Sequence, residues 1–281
     1  MNSRKKTFIL GLGCQKCGTS WLYQYLAQSQ FFCEGFAKEY HVWDALDEPI
    51  LNRFKVHQKS SFLRRLFFNV GLTKIQSKRY LMQNDPNFYF DYFASLLSNQ
   101  KFLTADITPS YSALKAERLE KIVRSFDERN ITTKAIILLR EPLSRMKSAV
   151  RFQLDRKING HGIIDRELNF EAALGQYYVS EHSYIRTRYD KIIAEAQQVF
   201  NEDQLYIGFY ENMFSPVEIS RVSEFLGVDS NSEYAKVKVN KTHSEVELTD
   251  IDEIVKAHYA DVYDFCFKKF PITKTLWESK K

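Results

Sequence analysis

Gly11-Leu-Gly-Cys-Gln-Lys-Cys-Gly-Thr-Ser-Trp-Leu22 decides the fold. The apolar run at 7–12 is strand-length and leads straight into it, and the residues from Ser20 to Gln28 have helical composition. A buried strand that enters a loop holding Gly13 and Gly18 and leaves as a helix is a cradle for an anion. The glycines let the backbone approach the ligand, and the helix start offers unpaired N–H groups at the positive end of its dipole. Lys16 adds a charge, and Thr19 and Ser20 add hydroxyls in the first turn.

Working outward, four more apolar runs of strand length lie at 31–35, 101–107, 134–140 and 205–210. Helical patterns separate them. Leu119, Ile122, Val123 and Phe126 recur at i, i+3, i+4, i+7. Pro142 stands where a first helical turn begins, so 143–154 is expected as a helix, and 184–200 as one long helix. The alternation predicts an α/β fold of three layers, P-loop-like, with a central, mainly parallel five-stranded sheet flanked by helices. Ligands of such sheets sit at the carboxyl ends of the strands. One domain, 1–281, is expected, with a helical insertion at 45–87 that carries Arg64, Arg65, Lys74, Lys78 and Arg79 among aromatics.

The chain has 281 residues, 44% of them hydrophobic, enough for one large core and too many for a disordered class. Its net charge of +5 suits an anionic ligand without amounting to a nucleic-acid signature, so no nucleic-acid partner is expected. No run approaches the roughly 20 apolar residues of a membrane span, and 8–13 is too short for a signal peptide core. A cytoplasmic location is expected, and nothing in the sequence sets an oligomeric state. Cys14 and Cys17 form a C-x-x-C, but no second pair of metal ligands accompanies it, so no metal site is expected and a tight loop is the simpler reading.

Two further segments carry chemistry. Lys134–Ser148 ends an apolar run in Arg140-Glu-Pro142 and continues to Ser148, two helical turns on. An arginine at a strand end can clamp a phosphate with two parallel N–H bonds. Lys38-Glu-Tyr-His-Val-Trp-Asp44 places a carboxylate, an imidazole and an amine together. The order in the first loop is not that of nucleotide triphosphatases, where lysine follows the last glycine; here Lys16 precedes Gly18 and Thr19 takes that place.

G-x-x-K-x-G-T-[ST]-x-L at 13–22 resembles the 5′-phosphosulfate loop of sulfotransferases, and R-[DE]-P-x-x-R-x-x-S at 140–148 resembles their 3′-phosphate segment. Lys38–Asp44 is similar to the K-E-x-H segment of the carbohydrate enzymes, nearest the heparan-sulfate type. The resemblance implies transfer of a sulfuryl group from 3′-phosphoadenosine 5′-phosphosulfate (PAPS) to a hydroxyl or amine of a small-molecule or glycan acceptor. The product nucleotide would be the 3′,5′-bisphosphate (PAP), and no metal is expected. It implies donor binding by Lys16, Cys17, Gly18, Thr19, Ser20, Trp21, Arg140, Ser148 and Lys241. Glu39 is favoured as the general base, His41 competes with it, and Lys16 stabilises the leaving phosphate. Asp106-Ile-Thr-Pro-Ser-Tyr111 resembles E-K-[TS]-P-x-Y but has Ile107 where many polysaccharide enzymes have lysine; Tyr111 is expected at the cleft. Residues 209–213 and 222–228 are read as core. Two other classes stay open: a P-loop-type kinase using Asp106 to hold a metal, and a non-catalytic nucleotide-binding module.

Overall fold

A computed structural model describes residues 5–57, 71–158, 161–163, 167–237 and 250–278. Four strands form one parallel sheet in the order β2-β1-β3-β4: β1 Thr7–Gly11, β2 Leu103–Asp106, β3 Thr132–Leu139 and β4 Leu205–Phe209. Strand β1 lies between β2 (Thr7 opposite Leu103) and β3 (Thr7 opposite Thr132), and every residue of it is buried. Two neighbours and two covered faces explain its unbroken apolar run.

The sheet has four strands rather than the expected five. The segment at 31–35 makes a single parallel bridge, Phe32 to Leu103, and then departs. Side chains take over the ladder there. Thr104 Oγ1 donates to the Cys33 carbonyl (2.9 Å), Lys101 Nζ to that of Phe32 (2.9 Å), and Tyr92 Oη accepts from the Phe36 amide (2.8 Å).

Helices follow the strands. After β1 comes α1 (Thr19–Ala27), and α2 (Trp43–Asp47) follows the edge segment. Next come α3 (Gly71–Asn84) and α4 (Pro86–Leu96), separated by Asp85, whose side chain accepts from the Asn87 amide and caps α4. α5 (Ala116–Asp127) precedes β3, and α6 (Pro142–Asp155) follows it with Pro142 in its first turn. The chain continues through α7 (Phe170–Tyr178), α8 (Glu181–Thr187) and α9 (Tyr189–Gln197) to β4. Beyond it lie α10 (Pro216–Leu226), α11 (Asp250–His258), α12 (Ala260–Lys269) and α13 (Ile272–Glu278). One face of the sheet packs an aromatic cluster in which Phe8 stacks on Phe126 (4.2 Å) and meets Phe93 edge-on (4.7 Å).

The long helix expected over 184–200 is two helices, α8 and α9, broken at Arg188 (φ −72°, ψ 70°). Tertiary bonds outbid the helical ladder. Ser112 Oγ takes the Ile185 carbonyl (2.9 Å), Arg145 takes Thr187 Oγ1 (2.7 Å), and Arg188 pairs with Asp190 (2.6 Å) and Asp261 (2.7 Å).

The sheet order places the functional region. From β1 the chain moves to one side, to β2, and then back across to β3. The carboxyl ends of β1 and β3 therefore flank the crossover point where such sheets bind ligands. Gly13–Gly18 leaves the first and Arg140 the second.

Candidate functional site

The loop after β1 is shaped by its glycines. Gly13 (φ +93°) and Gly18 (φ +92°) lie in the left-handed region, and a Cβ would meet the Pro109 carbonyl oxygen at 2.7 Å and Met213 Sδ at 2.4 Å respectively. Gly18 is the N-cap of α1 and gives no side-chain cap; the first amide of this helix bonded within it is Leu22, to Gly18. The amides of Thr19, Ser20 and Trp21 thus start a helix with no intrahelical acceptor of their own. Lys16 also has positive φ (+67°), and its Nζ lies 4.3 Å from the Phe152 ring centre.

The second anchor stands against the first. Arg140 leaves the end of β3, and its Nη1 reaches the Lys16 carbonyl (3.3 Å). Its guanidinium lies over Tyr210 at 4.4 Å, while its Nε is buried without a hydrogen-bond partner. Ser148, two turns into α6, is buried, and its Oγ has no partner either. Unpaired buried donors beside a helix start fit an anionic group, since a buried polar atom left unpaired costs about 1–3 kcal/mol.

The segment 38–44 is held from behind. Asp106 at the end of β2 accepts from Tyr89 (3.0 Å), Thr108 (2.6 Å) and Tyr111 (2.8 Å), and Thr108 Oγ1 accepts from the Tyr40 amide (2.9 Å). Gln83 of α3, itself buried, donates to the carbonyls of His41 (2.7 Å) and Phe54 (3.0 Å) and accepts from the Val56 amide (2.8 Å). Arg79 donates to the Glu39 carbonyl (3.0 Å). His41, at φ +52°, is thereby fixed in a left-handed conformation, with the Phe54 ring stacked on its imidazole at 3.7 Å.

A chain of charge runs through the side chains: Asp44 Oδ2 to His41 Nδ1 at 2.7 Å, His41 Nε2 to Glu39 Oε2 at 3.4 Å, Glu39 Oε1 to Lys38 Nζ at 2.6 Å, and Lys38 Nζ to Thr19 Oγ1 at 3.3 Å. The last contact ties this segment to the start of α1. Burial pushes the Glu39 carboxyl up, but His41 and Lys38 together outweigh it and hold it at about 2. Burial pulls the His41 imidazole down, yet Asp44 and Glu39 hold it above its ordinary value. Burial, with Arg140 and Arg156 nearby, lowers the Lys16 ammonium to about 8.

One cleft of about 490 Å³ gathers these groups. Lys16, Gly18, Thr19, Ser20, Trp21, Glu39, His41, Arg140 and Ser148 all line it, as does Lys38. Cys17 belongs to the loop but not to the lining. It is fully buried, and its amide closes a turn onto the Cys14 carbonyl (3.3 Å). Lys241 lies outside the described residues, as do Arg64 and Arg65 and the side chain of Lys74. Tyr111, expected at the cleft, instead turns its hydroxyl to Asp106 and the Val42 amide (3.3 Å). Asp106 is likewise wholly inside and engaged by three hydroxyls. A second hollow, about 690 Å³ beside β4, contains none of the expected catalytic or donor-binding residues.

Several lining residues are not among those the sequence singles out: Phe54, Ser110, Phe152, His161, Arg186 and Phe214, with Tyr210 from the stretch 209–213 expected as core. Tyr210 had a usable signal, because it follows directly on the last residue of β4 and so lies at a strand's carboxyl end. Among the described residues no group of three or more His, Cys, Asp or Glu could hold a metal ion, and no helix is long and apolar enough to cross a membrane.

Residues 5–259 match the family model described as Sulfotransferase domain. Among solved structures, the chain is similar to a sulfotransferase from Alicyclobacillus acidocaldarius, at 21% identity and TM-score 0.56, covering 91% of this chain and 92% of that one. It is also similar to the mouse sulfotransferase SULT7A1 complexed with PAP, at 12% identity and TM-score 0.51, covering 99% and 90%. At these identities the structures speak for the fold. No curated protein matches the sequence. The family match spans nearly the whole chain, so the protein belongs to the sulfotransferase family and is a PAPS-dependent sulfotransferase.

Proposed function

We propose that the cleft binds PAPS with its 5′-phosphosulfate on the α1 start and its 3′-phosphate on Arg140 and Ser148, and that Glu39 receives the acceptor's proton. The observation that carries this reading is the convergence of Lys16, Thr19, Ser20, Arg140 and Ser148 with Glu39 and His41 in one cleft. Two separate anchors for negative charge suit a nucleotide phosphorylated at both 3′ and 5′ positions.

The donor supplies an activated sulfuryl group: an acceptor oxygen forms a bond to sulfur while the bond from sulfur to the 5′-phosphate oxygen breaks. Lys16 and the amides of Thr19, Ser20 and Trp21 would steady the charge that gathers on that departing phosphate. Lys38, between Thr19 and Glu39, would accompany the transferring oxygens. Glu39 is ionised at neutral pH, and its side chain is 37% exposed, whereas Asp44 is sealed. His41, with a raised pKa between two carboxylates, is better suited to hold a proton than to take one. Once the acceptor oxygen bonds to sulfur its proton becomes acidic, so a weakly basic carboxylate suffices. Positioning and electrostatics supply the rest, as in phosphoryl transfer, and the proposed transfer needs no metal.

For the acceptor, Lys38–Asp44 supports a carbohydrate. We read 45–87 as an insertion into a single domain that contributes one wall of the cleft through Phe54 and braces the base through Arg79 and Gln83. The competing kinase reading needs Asp106 to face a metal, but its carboxylate is buried and engaged by three hydroxyls. Incubation with labelled donor and a panel of glycans, phenols and hydroxylated lipids tests the assignment: label should pass to a glycan without added metal, and ATP should not serve. Failure of the protein to bind PAP would refute it.

A further inference from the structure

Arg186 is a buried cation at the cleft, and no described residue forms an ion pair with it. It is 2% exposed, lies on α8, and lines the cleft together with Glu39, His41, Ser110 and His161. Its Nη1 donates to the His182 carbonyl (2.7 Å) and lies 3.2 Å from His182 Nδ1. Among the described residues no carboxylate is within ion-pair distance of it. Asp44 is near enough to be felt, but its Oδ2 is bonded to His41 and its Oδ1, buried and unpaired, makes no hydrogen bond to the guanidinium.

The surroundings add positive charge. Arg53 Nη2 lies 2.6 Å from His161 Nδ1, so that imidazole accepts and is neutral. Burial, with Arg53 and Arg186 beside it, pushes His161 down to about 3, and burial with Arg186 lowers Arg53 to about 10. Two guanidiniums thus stand close to one neutral imidazole, which lines the cleft beside Arg186. A buried charge without a partner is costly, and an anion brought by a ligand relieves that cost.

The donor's own charges are served elsewhere, by Lys16 and the α1 amides and by Arg140 and Ser148. This argument rests on that assignment of the donor. We infer that Arg186, with His161 and Arg53 behind it, forms a subsite for an anionic substituent of the acceptor: a carboxylate, sulfate ester or phosphate near the reacting hydroxyl. Such a group would both orient the acceptor toward Glu39 and select against neutral analogues, because the guanidinium offers paired donors matched to a planar or tetrahedral oxyanion.

The test begins with PAP-saturated protein, so that the nucleotide anchors are filled, and calorimetric titration with inorganic sulfate. Saturable binding is expected, weakened about tenfold or more in Arg186→Gln. No saturable binding, or equal binding in Arg186→Gln, overturns the subsite. A second arm needs no variant and so does not depend on a buried substitution folding. It compares transfer to a uronate-containing oligosaccharide and to its methyl ester. Preference for the acid by about tenfold in kcat/KM supports the subsite, and an ester used as well as the acid overturns it. Failure of PAP itself to bind would instead sink the donor assignment, which keeps the two claims apart.

Discussion

The half of the cleft proposed to bind the donor draws its anion-binding groups from two continuous segments, Lys16–Trp21 and Arg140–Ser148, whereas the half proposed for the acceptor gathers Phe54, Ser110, His161 and Arg186 from four. In the first half the backbone does most of the work. A helix start and a strand end need only glycines, a proline and a few donors at fixed offsets. In the second half nothing local fixes the geometry. Glu39 and His41 hold their places because Gln83, Arg79, Thr108 and Asp106 brace them from other elements. The donor half should therefore lose affinity when altered, and the braced half should lose turnover.

Substitutions can break that contrast. Glu39→Gln is expected to have the largest effect: a loss of about 10²–10⁴-fold in kcat, with PAP affinity unchanged by calorimetry. Retained turnover would move the base to His41. Arg140→Ala should weaken PAP about 10- to 100-fold, the worth of charge-assisted hydrogen bonds to a phosphate, while the far-ultraviolet circular dichroism stays native.

Gln83→Leu removes the donors to His41 and Phe54 without touching the cleft. A fall of about tenfold in kcat with PAP affinity intact is expected, and Gln83→Glu should not restore it, because both carbonyls would then face a carboxylate. A matching loss of PAP affinity would show that the two halves are not independent.

Donor affinity should also depend on pH. Lys16 is cationic below its pKa, and burial, with Arg140 and Arg156 nearby, lowers that pKa to about 8. Binding to phosphate requires the cation. PAP affinity should therefore be level below pH 8 and fall as pH rises through it, by up to about tenfold per unit, until the higher pKa of the bound form is reached. Lys16→Arg, whose charge does not titrate in this range, should flatten the profile. The smallest effect is expected of Ser148→Ala: about fivefold weaker PAP binding, the worth of one hydrogen bond.

The same contrast explains what the sequence disclosed. Strand β1, the glycine loop, Pro142 at the start of α6, and the spacing of Arg140 and Ser148 were all legible, because each depends on neighbours along the chain. The 31–35 edge is not legible, because an apolar run does not show that Thr104, Lys101 and Tyr92 will claim its backbone groups. The break at Arg188 depends on Ser112 and Arg145, which lie far away in the chain. Arg186 looked like any helical arginine; only the break and the burial of α8 bring it to the cleft.

The most direct test of the central claim, that Lys16 and Arg140 grip the two ends of one nucleotide, is a double comparison of PAP and AMP binding in wild-type protein and Arg140→Ala. AMP lacks the 3′-phosphate. The wild-type protein should favour PAP over AMP by about tenfold or more, and in Arg140→Ala the preference should nearly vanish, since ligand group and side chain act as a pair. A PAP preference that survives in Arg140→Ala, or none in the wild type, would contradict the account.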